Sequence, residues 1–205
     1  MILPDNCENL IKLQRSKYGK SDIKKSFQDD LENEFNSIIN FLPEDCKKII
    51  DIGCGLAGIS IQLHHYYDSP FLYLVDKNEI TQNLKYGFSE NPSFYNSFEI
   101  LEKIMKLNNI GNYEFVSPDN DFSKMKNIDI VISLLACGFH FPLYHYFGRI
   151  YESLSKNGIL IVDIRKQQYN NEIKLIELYF RNYEEIQTDN PKTVRICAKE
   201  KICLA

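Results

Sequence analysis

Apolar residues recur along this chain in two rhythms, and their alternation predicts a layered α/β architecture. Ile23, Phe27, Leu31, Phe35, Ile38, Ile39 and Leu42 fall at three- and four-residue steps, one apolar stripe on a helix that starts near residue 21. Ser21 or Asp22 is placed to cap it and Pro43 to stop it. Short apolar runs then predict buried strands at residues 48–52, 71–75, 113–116, 128–134 and 159–164. Helical spacing fills the gaps between them. Residues 58–67 carry Ile59, Leu63 and Tyr66 on one side, 97–108 carry Phe98, Leu101, Ile104 and Met105, and 143–155 carry Phe147, Ile150, Tyr151 and Leu154. Asn157-Gly158 reads as the turn into the fifth strand. A last helix over 171–180 precedes two β-rich pieces, 183–187 and 193–198, joined through Asp189-Asn190-Pro191. Residues 1–20 are polar, a short helix or an arm, and 77–96 lacks a clean period and reads as a loop with a helical turn.

The order of these elements predicts an α/β fold: a doubly wound, mostly parallel seven-stranded sheet, closed by an antiparallel C-terminal hairpin and preceded by a helical extension. Residues 1–45 are expected to form a helical arm or cap packed on a core domain of 46–205. At 205 residues the chain is long enough for a single core. Its net charge of -4 gives no global reason to bind nucleic acid or an anionic membrane. No apolar run approaches the roughly 20 residues that cross a bilayer, and the opening residues lack a secretory pattern, so a cytoplasmic protein is expected. The six cysteines form no C-x-x-C pair and, with four scattered histidines, make a poor metal site. They are expected to be buried, reduced thiols.

The chemistry concentrates where the first strand ends. Ile49-Ile50-Asp51-Ile52-Gly53-Cys54-Gly55-Leu56-Ala57-Gly58 runs from an apolar strand into a turn with three spaced glycines. Such a turn lets a nucleotide-like ligand lie against the backbone, where side chains would collide with it. The second strand ends in Asp76, 18 residues past Gly58, about where a βαβ unit returns an acid to ribose hydroxyls.

Asp51-Ile52-Gly53-Cys54-Gly55 with Asp76 resembles the first two motifs of class I S-adenosylmethionine-dependent methyltransferases, and the resemblance extends over about residues 45–200. The glycines alone are shared with NAD and FAD sites; Asp51 discriminates. A dinucleotide's pyrophosphate repels an acid there, whereas S-adenosyl-L-methionine carries sulfonium and ammonium charges and no phosphate. The resemblance implies a Rossmann-like methyltransferase fold and S-adenosyl-L-methionine as cofactor, with S-adenosyl-L-homocysteine as product. It implies that Gly53, Cys54, Gly55 and Gly58 form the turn against the methionine part, with Asp51 nearby. Asp76 would take the ribose hydroxyls and Lys77 flank the adenine. Ser117 or Asp119 would meet the adenine amino group, although Ser117-Pro118-Asp119 also reads as an ordinary turn. Ser133 and Leu134 begin the segment that faces the transferable methyl, which ends in Phe139-His140-Phe141-Pro142. There His140 is either a general base for an acceptor hydroxyl or a packed histidine bonding a carbonyl.

The acceptor is less legible. No Asn/Asp-Pro-Pro-aromatic motif and no Pro-Cys nucleophile follow the fourth strand, which argues against exocyclic-nitrogen and cytosine-carbon methylation. Asp129 and Asp163 fall at opposite ends of the sheet, which argues against a metal. Tyr86-Gly87-Phe88 and Phe94-Tyr95-Asn96 suit a wall for a sugar or a plain hydrophobic surface. Arg165 and Lys166 are either an anion site or solvated. The expectation is O-methylation of a small, carbohydrate-like acceptor. The alternatives are RNA or protein methylation, helped by a basic strip at Lys12, Arg15, Lys17, Lys20, Lys24 and Lys25, or a non-catalytic binding protein on the same fold. A dehydrogenase is the outsider, and the oligomeric state is not readable.

Overall fold

A computed structural model describes residues 1–14, 22–81 and 93–203. Seven strands form one sheet: β1 (Lys48–Ile52), β2 (Phe71–Val75), β3 (Tyr113–Val116), β4 (Ile128–Ser133), β5 (Leu154–Arg165), β6 (Phe180–Ile186) and β7 (Thr193–Lys201). Their order across the sheet is β3-β2-β1-β4-β5-β7-β6. The first five pair in parallel, and β7 pairs antiparallel with both β5 and β6. The helices are α1 (Glu8–Gln14), α2 (Ile23–Ile38), α3 (Gly58–Tyr66), α4 (Phe98–Leu107), α5 (Tyr144–Ser153) and α6 (Tyr169–Tyr179).

Strand alternation divides the core into two layers. Ile49, Ile130, Ile132, Ile159 and Ile161 join α1 to α4 on one face, with Leu10, Phe27, Leu31, Leu63 and Leu101. Ile50, Ile52, Val131, Leu160 and Val162 face α5 and α6, with Phe147, Ile150, Ile173 and Ile176. Near-continuous apolar strands are what a sheet covered on both faces requires. The doubly wound sheet with its antiparallel hairpin is thus the observed fold.

Three details differ from the pattern-based expectation. Tyr66 is 49% exposed, while Ser60, Ile61 and His64 are buried, because α3 is wedged between the sheet and α2 and so hides more than one side. Second, β5 begins at Leu154, not at 159. Its pairing with β4 jumps from Ile128↔Leu154 to Ile130↔Ile159, so Asn157-Gly158 sits inside an irregularity of the strand rather than in a turn before it. A Cβ at Gly158 would lie 2.5 Å from the Ile128 carbonyl oxygen. Third, α2 ends at Ile38 and a single 3-10 turn (Ile39–Phe41) carries the chain toward Pro43. Asp22 caps α2 by accepting from the Lys25 N–H; the other candidate cap, Ser21, lies outside the described residues.

Candidate functional site

β1 and β2 end side by side, with Ile52 in register with Val75, so the turns that follow them meet. The Val75 carbonyl accepts from Gly53 N–H at 2.7 Å and Cys54 N–H at 3.3 Å. Gly53 and Gly55 have φ of +72° and +53°, the left-handed region that glycine enters freely. Packing also demands glycine at two of the three positions: a Cβ would stand 2.2 Å from the Ala136 Cβ at Gly53 and 2.3 Å from the Leu31 Cδ1 at Gly58, whereas at Gly55 it would meet only the movable end of Gln14 and the positive φ makes the demand. The sequence-based reason for these glycines was room for a ligand. The observed reasons are close packing of the post-β4 loop and α2 onto the turn and, at Gly55, the left-handed backbone.

Asp51 is on the same sheet face as Ile49, buried beneath the turn, where the Ser60 hydroxyl of α3 donates to it at 2.6 Å. Burial pushes its carboxyl up to about 7, with the negative charges of Asp76 and Glu34 adding to the rise and the Ser60 bond opposing it. Asp76 accepts from Gly55 N–H (2.9 Å), Lys77 N–H (2.8 Å) and the Asn96 side-chain amide (3.0 Å). Burial raises its pKa, and those three bonds hold it down. Asn96 also donates to the Gly55 carbonyl at 2.8 Å, so one buried amide fixes both the glycine turn and the acid beside it.

Over this turn opens a cavity that Asp51, Gly53, Cys54, Gly55, Gly58, Asp76, Leu134 and His140 all line. Lys77, Ser117, Asp119 and Ser133 are not in its wall. Lys77 sits 4.5 Å over the Phe94 ring, with its ammonium 3.5 Å from the Asp119 carboxylate. Ser117 accepts from the Asp119 N–H at 3.3 Å, an Asx-like local turn, and Pro118 between them reaches the cavity. Ser133 is wholly buried. Its hydroxyl donates to the Ile52 carbonyl (2.7 Å) and accepts from Cys137 N–H (2.9 Å), which pins the post-β4 loop to the end of β1. Cys54 is a buried thiol raised well above its usual range by burial, which leaves it protonated and unreactive.

The post-β4 loop is tightly wound. Leu135 has a φ of +59° and Gly138 of +85°, and the Ala136 carbonyl accepts from the N–H groups of Phe139, His140 and Phe141. His140 is drawn into this turn. Burial, reinforced by the Arg165 charge, lowers its pKa to about 4, so the imidazole is neutral in the working range. Phe94 stacks on Phe141 with centroids 6.0 Å apart, and Phe94 and Tyr95 line the first cavity. Tyr86, Gly87 and Phe88, with Arg15, Lys17 and Lys20 of the basic strip, lie outside the described residues.

Several site residues had no signal in the sequence. Gln14, at the end of α1, covers Gly55 and donates to the Tyr95 carbonyl at 3.2 Å. Glu34 projects from the polar side of α2 into the first cavity. Asp163 is buried in a bidentate pair with Arg195, at 2.7 and 2.9 Å, directly opposite it in the β5–β7 register. Arg195 also donates to Ser37 (2.9 Å), and Asp163 accepts from Leu135 N–H (3.2 Å). At the far end of the sheet Asp129 accepts from the N–H groups of Lys47 and Lys48.

The wall of the first cavity contains Glu34, Asp51 and Asp76 and, among the described residues, neither lysine nor arginine. That donor set fits a ligand with positive charge, hydroxyls and no phosphate.

No protein-family model matches the sequence, and no curated protein is similar to it in sequence. Solved structures do resemble it. A methyltransferase from Pyrococcus furiosus superposes with a TM-score of 0.60 at 12% identity, covering 84% of this chain and 83% of that one. The precorrin-6y C5,15-methyltransferase of Geobacter metallireducens gives 0.56 at 13% identity, covering 82% and 86%. M. jannaschii TYW2, solved in complex with AdoMet, gives 0.55 at 18% identity, covering 84% and 75%. The chain therefore has the Rossmann-like fold of class I S-adenosylmethionine-dependent methyltransferases. Among the described residues no helix is long and apolar enough to cross a membrane.

Proposed function

We propose that the chain is an S-adenosyl-L-methionine-dependent methyltransferase of the cytoplasm that methylates oxygen on a small, hydroxyl-rich acceptor. The observation that carries this reading is the pair of buried acids, Asp51 and Asp76, that line the cavity beside the glycine turn. The AdoMet complex of a protein with the same fold supports it. When bound, S-adenosyl-L-methionine supplies an electrophilic methyl group on a sulfonium, and S-adenosyl-L-homocysteine is left as product.

In this reading the turn Gly53-Cys54-Gly55 offers backbone groups to the methionine part, and Asp51 lies beneath it to favour the ligand's positive charge. Asp76 keeps acceptor capacity for ribose hydroxyls, since each carboxylate oxygen has more than one lone-pair site and the three N–H donors leave sites open. Lys77 and the Ser117–Asp119 turn form the outer rim on the adenine side. His140, neutral, orients an acceptor hydroxyl by accepting its hydrogen bond. Residues 1–45 act as the cap, through Gln14 and Glu34.

Isothermal titration with S-adenosyl-L-homocysteine tests the reading. Wild-type protein is expected to bind it, and Asp76→Ala to weaken binding about tenfold or more, the worth of a charge-assisted bond. A folded sample that does not bind, or an Asp76→Ala variant that binds as well as wild type, overturns the reading.

A further inference from the structure

Asn96 is 2% exposed, and its amide is held from both sides. Its Nδ2 donates to the Gly55 carbonyl at 2.8 Å and to Asp76 Oδ2 at 3.0 Å, and its Oδ1 accepts from Ser97 N–H at 2.8 Å. The two acceptors and the one donor settle which end of the amide points where. Ser97 is the residue that caps the start of α4. The backbone is fixed as well. Asn96 N–H donates to the Glu79 carbonyl at 2.9 Å, Thr81 N–H donates to the Phe94 carbonyl at 2.8 Å, and Ile80 and Tyr95 form an antiparallel bridge between them. Any other rotamer of Asn96 gives up all of the amide's bonds at a buried position, which is costly.

This amide leaves Asp76 unevenly occupied. Oδ2 accepts from Gly55 N–H at 2.9 Å and from Asn96 at 3.0 Å, whereas Oδ1 accepts only from Lys77 N–H, at 2.8 Å. A carboxylate oxygen offers about two lone-pair sites. Oδ2 is therefore full, and the capacity left on the acid is confined to Oδ1. The donors on Oδ2 belong to built parts of the protein, the glycine turn with Gly55 at a φ of +53° and the anchored Asn96. These bonds also oppose the rise that burial gives the carboxyl, and so keep its charge. A ribose presents two neighbouring hydroxyls to this acid in the cavity wall. Oδ1 has room for one.

We propose that Asn96 is a positioning residue of the cofactor site: by filling Oδ2 of Asp76 it makes the acid grip one ribose hydroxyl of S-adenosyl-L-methionine and leave the neighbouring one to neutral partners or water. The inference rests on the cofactor reading above. A bond to an ionised acceptor is roughly twice as strong as one between neutral groups, so the two hydroxyls contribute unequally to affinity. The site then tolerates a change at one ribose carbon and rejects the same change at the next.

Isothermal titration of S-adenosyl-L-homocysteine and its 2′-deoxy and 3′-deoxy analogues tests this. On wild-type protein one analogue is expected to bind about tenfold or more weakly than the parent compound and the other within about threefold. Which analogue suffers identifies the hydroxyl that Asp76 holds. Asn96→Ala reopens Oδ2, so the hydroxyl that was silent should begin to count, and its deoxy analogue should bind about fivefold or more weakly than the parent compound in that variant. A purely structural loss would weaken all three ligands alike and leave their ratios as in wild type. The wild-type comparison decides by itself if the variant does not fold. Two analogues within about threefold of one another on wild-type protein, or unchanged ratios in folded Asn96→Ala, overturn the proposal. Folded wild-type protein that does not bind S-adenosyl-L-homocysteine at all overturns the cofactor reading instead.

Discussion

With its carboxyl raised to about 7, Asp51 is partly protonated at neutral pH, with Ser60 bonded to it and Asp76 and Glu34 adding negative charge. Without a ligand this raised pKa costs stability as pH rises: below the unfolded carboxyl's value near 3.8 both states hold the proton and nothing is lost, and the cost grows from there until it is complete above about 7. A ligand carrying ammonium or sulfonium charge favours the ionised form and drives the proton off. Affinity for S-adenosyl-L-methionine is therefore expected to rise between roughly pH 6 and 8 and then level off. Calorimetry in buffers of differing ionisation enthalpy should register proton release near pH 7, and Asp51→Asn should abolish it. His140 behaves oppositely: at about 4 its imidazole is a weak base as well as a neutral one. His140→Gln is expected to lower kcat by no more than about tenfold and to leave the pH profile above 5 unchanged. A hundredfold loss with a shifted acidic limb would restore the imidazole as the proton acceptor.

Between elements, the tightest constraint is the crossing of α2 over the start of α3. Gly58 faces Leu31 with no room for a methyl group, so Gly58→Ala is expected to cost about 1–3 kcal/mol in urea unfolding. Leu31→Ala in the same chain should recover part of that loss, giving a measurable coupling in a double-mutant cycle. The strands and the α2 stripe were legible because each is written in a local period. The glycine turn and Asp76 were legible because spacing along one βαβ unit carries them. Glu34 and Arg195 were not, since each meets the site across a long stretch of chain, and Asn96, legible only as part of a pocket wall, instead fixes the glycine turn and Asp76. Glu34 reads in sequence as one more polar residue on the outside of an amphipathic helix. Asp163 reads as a spare acid until the β5–β7 register sets Arg195 opposite it.

That buried pair is the joint of the whole molecule. Through it β5 and β7 are tied to Ser37 of α2 and to the Leu135 N–H of the post-β4 loop. Asp163→Ala removes both carboxylate bonds from the buried Arg195 guanidinium, and a loss of about 3–5 kcal/mol is expected in chemical denaturation. Asp163→Asn, which keeps an acceptor oxygen, should lose less. If both variants unfold at the wild-type midpoint, the pair holds nothing together.

The demand for glycine at positions 53, 55 and 58 has an evolutionary corollary. Ala136 and Leu31 press on Gly53 and Gly58, and Gly55 is held at positive φ, all without help from a ligand, so a descendant that had abandoned its chemistry would still conserve them. Its acids at 51 and 76, freed from any guest, would drift first. Among silent copies of this scaffold, loss of the carboxylates rather than of the glycines is the mark of retirement.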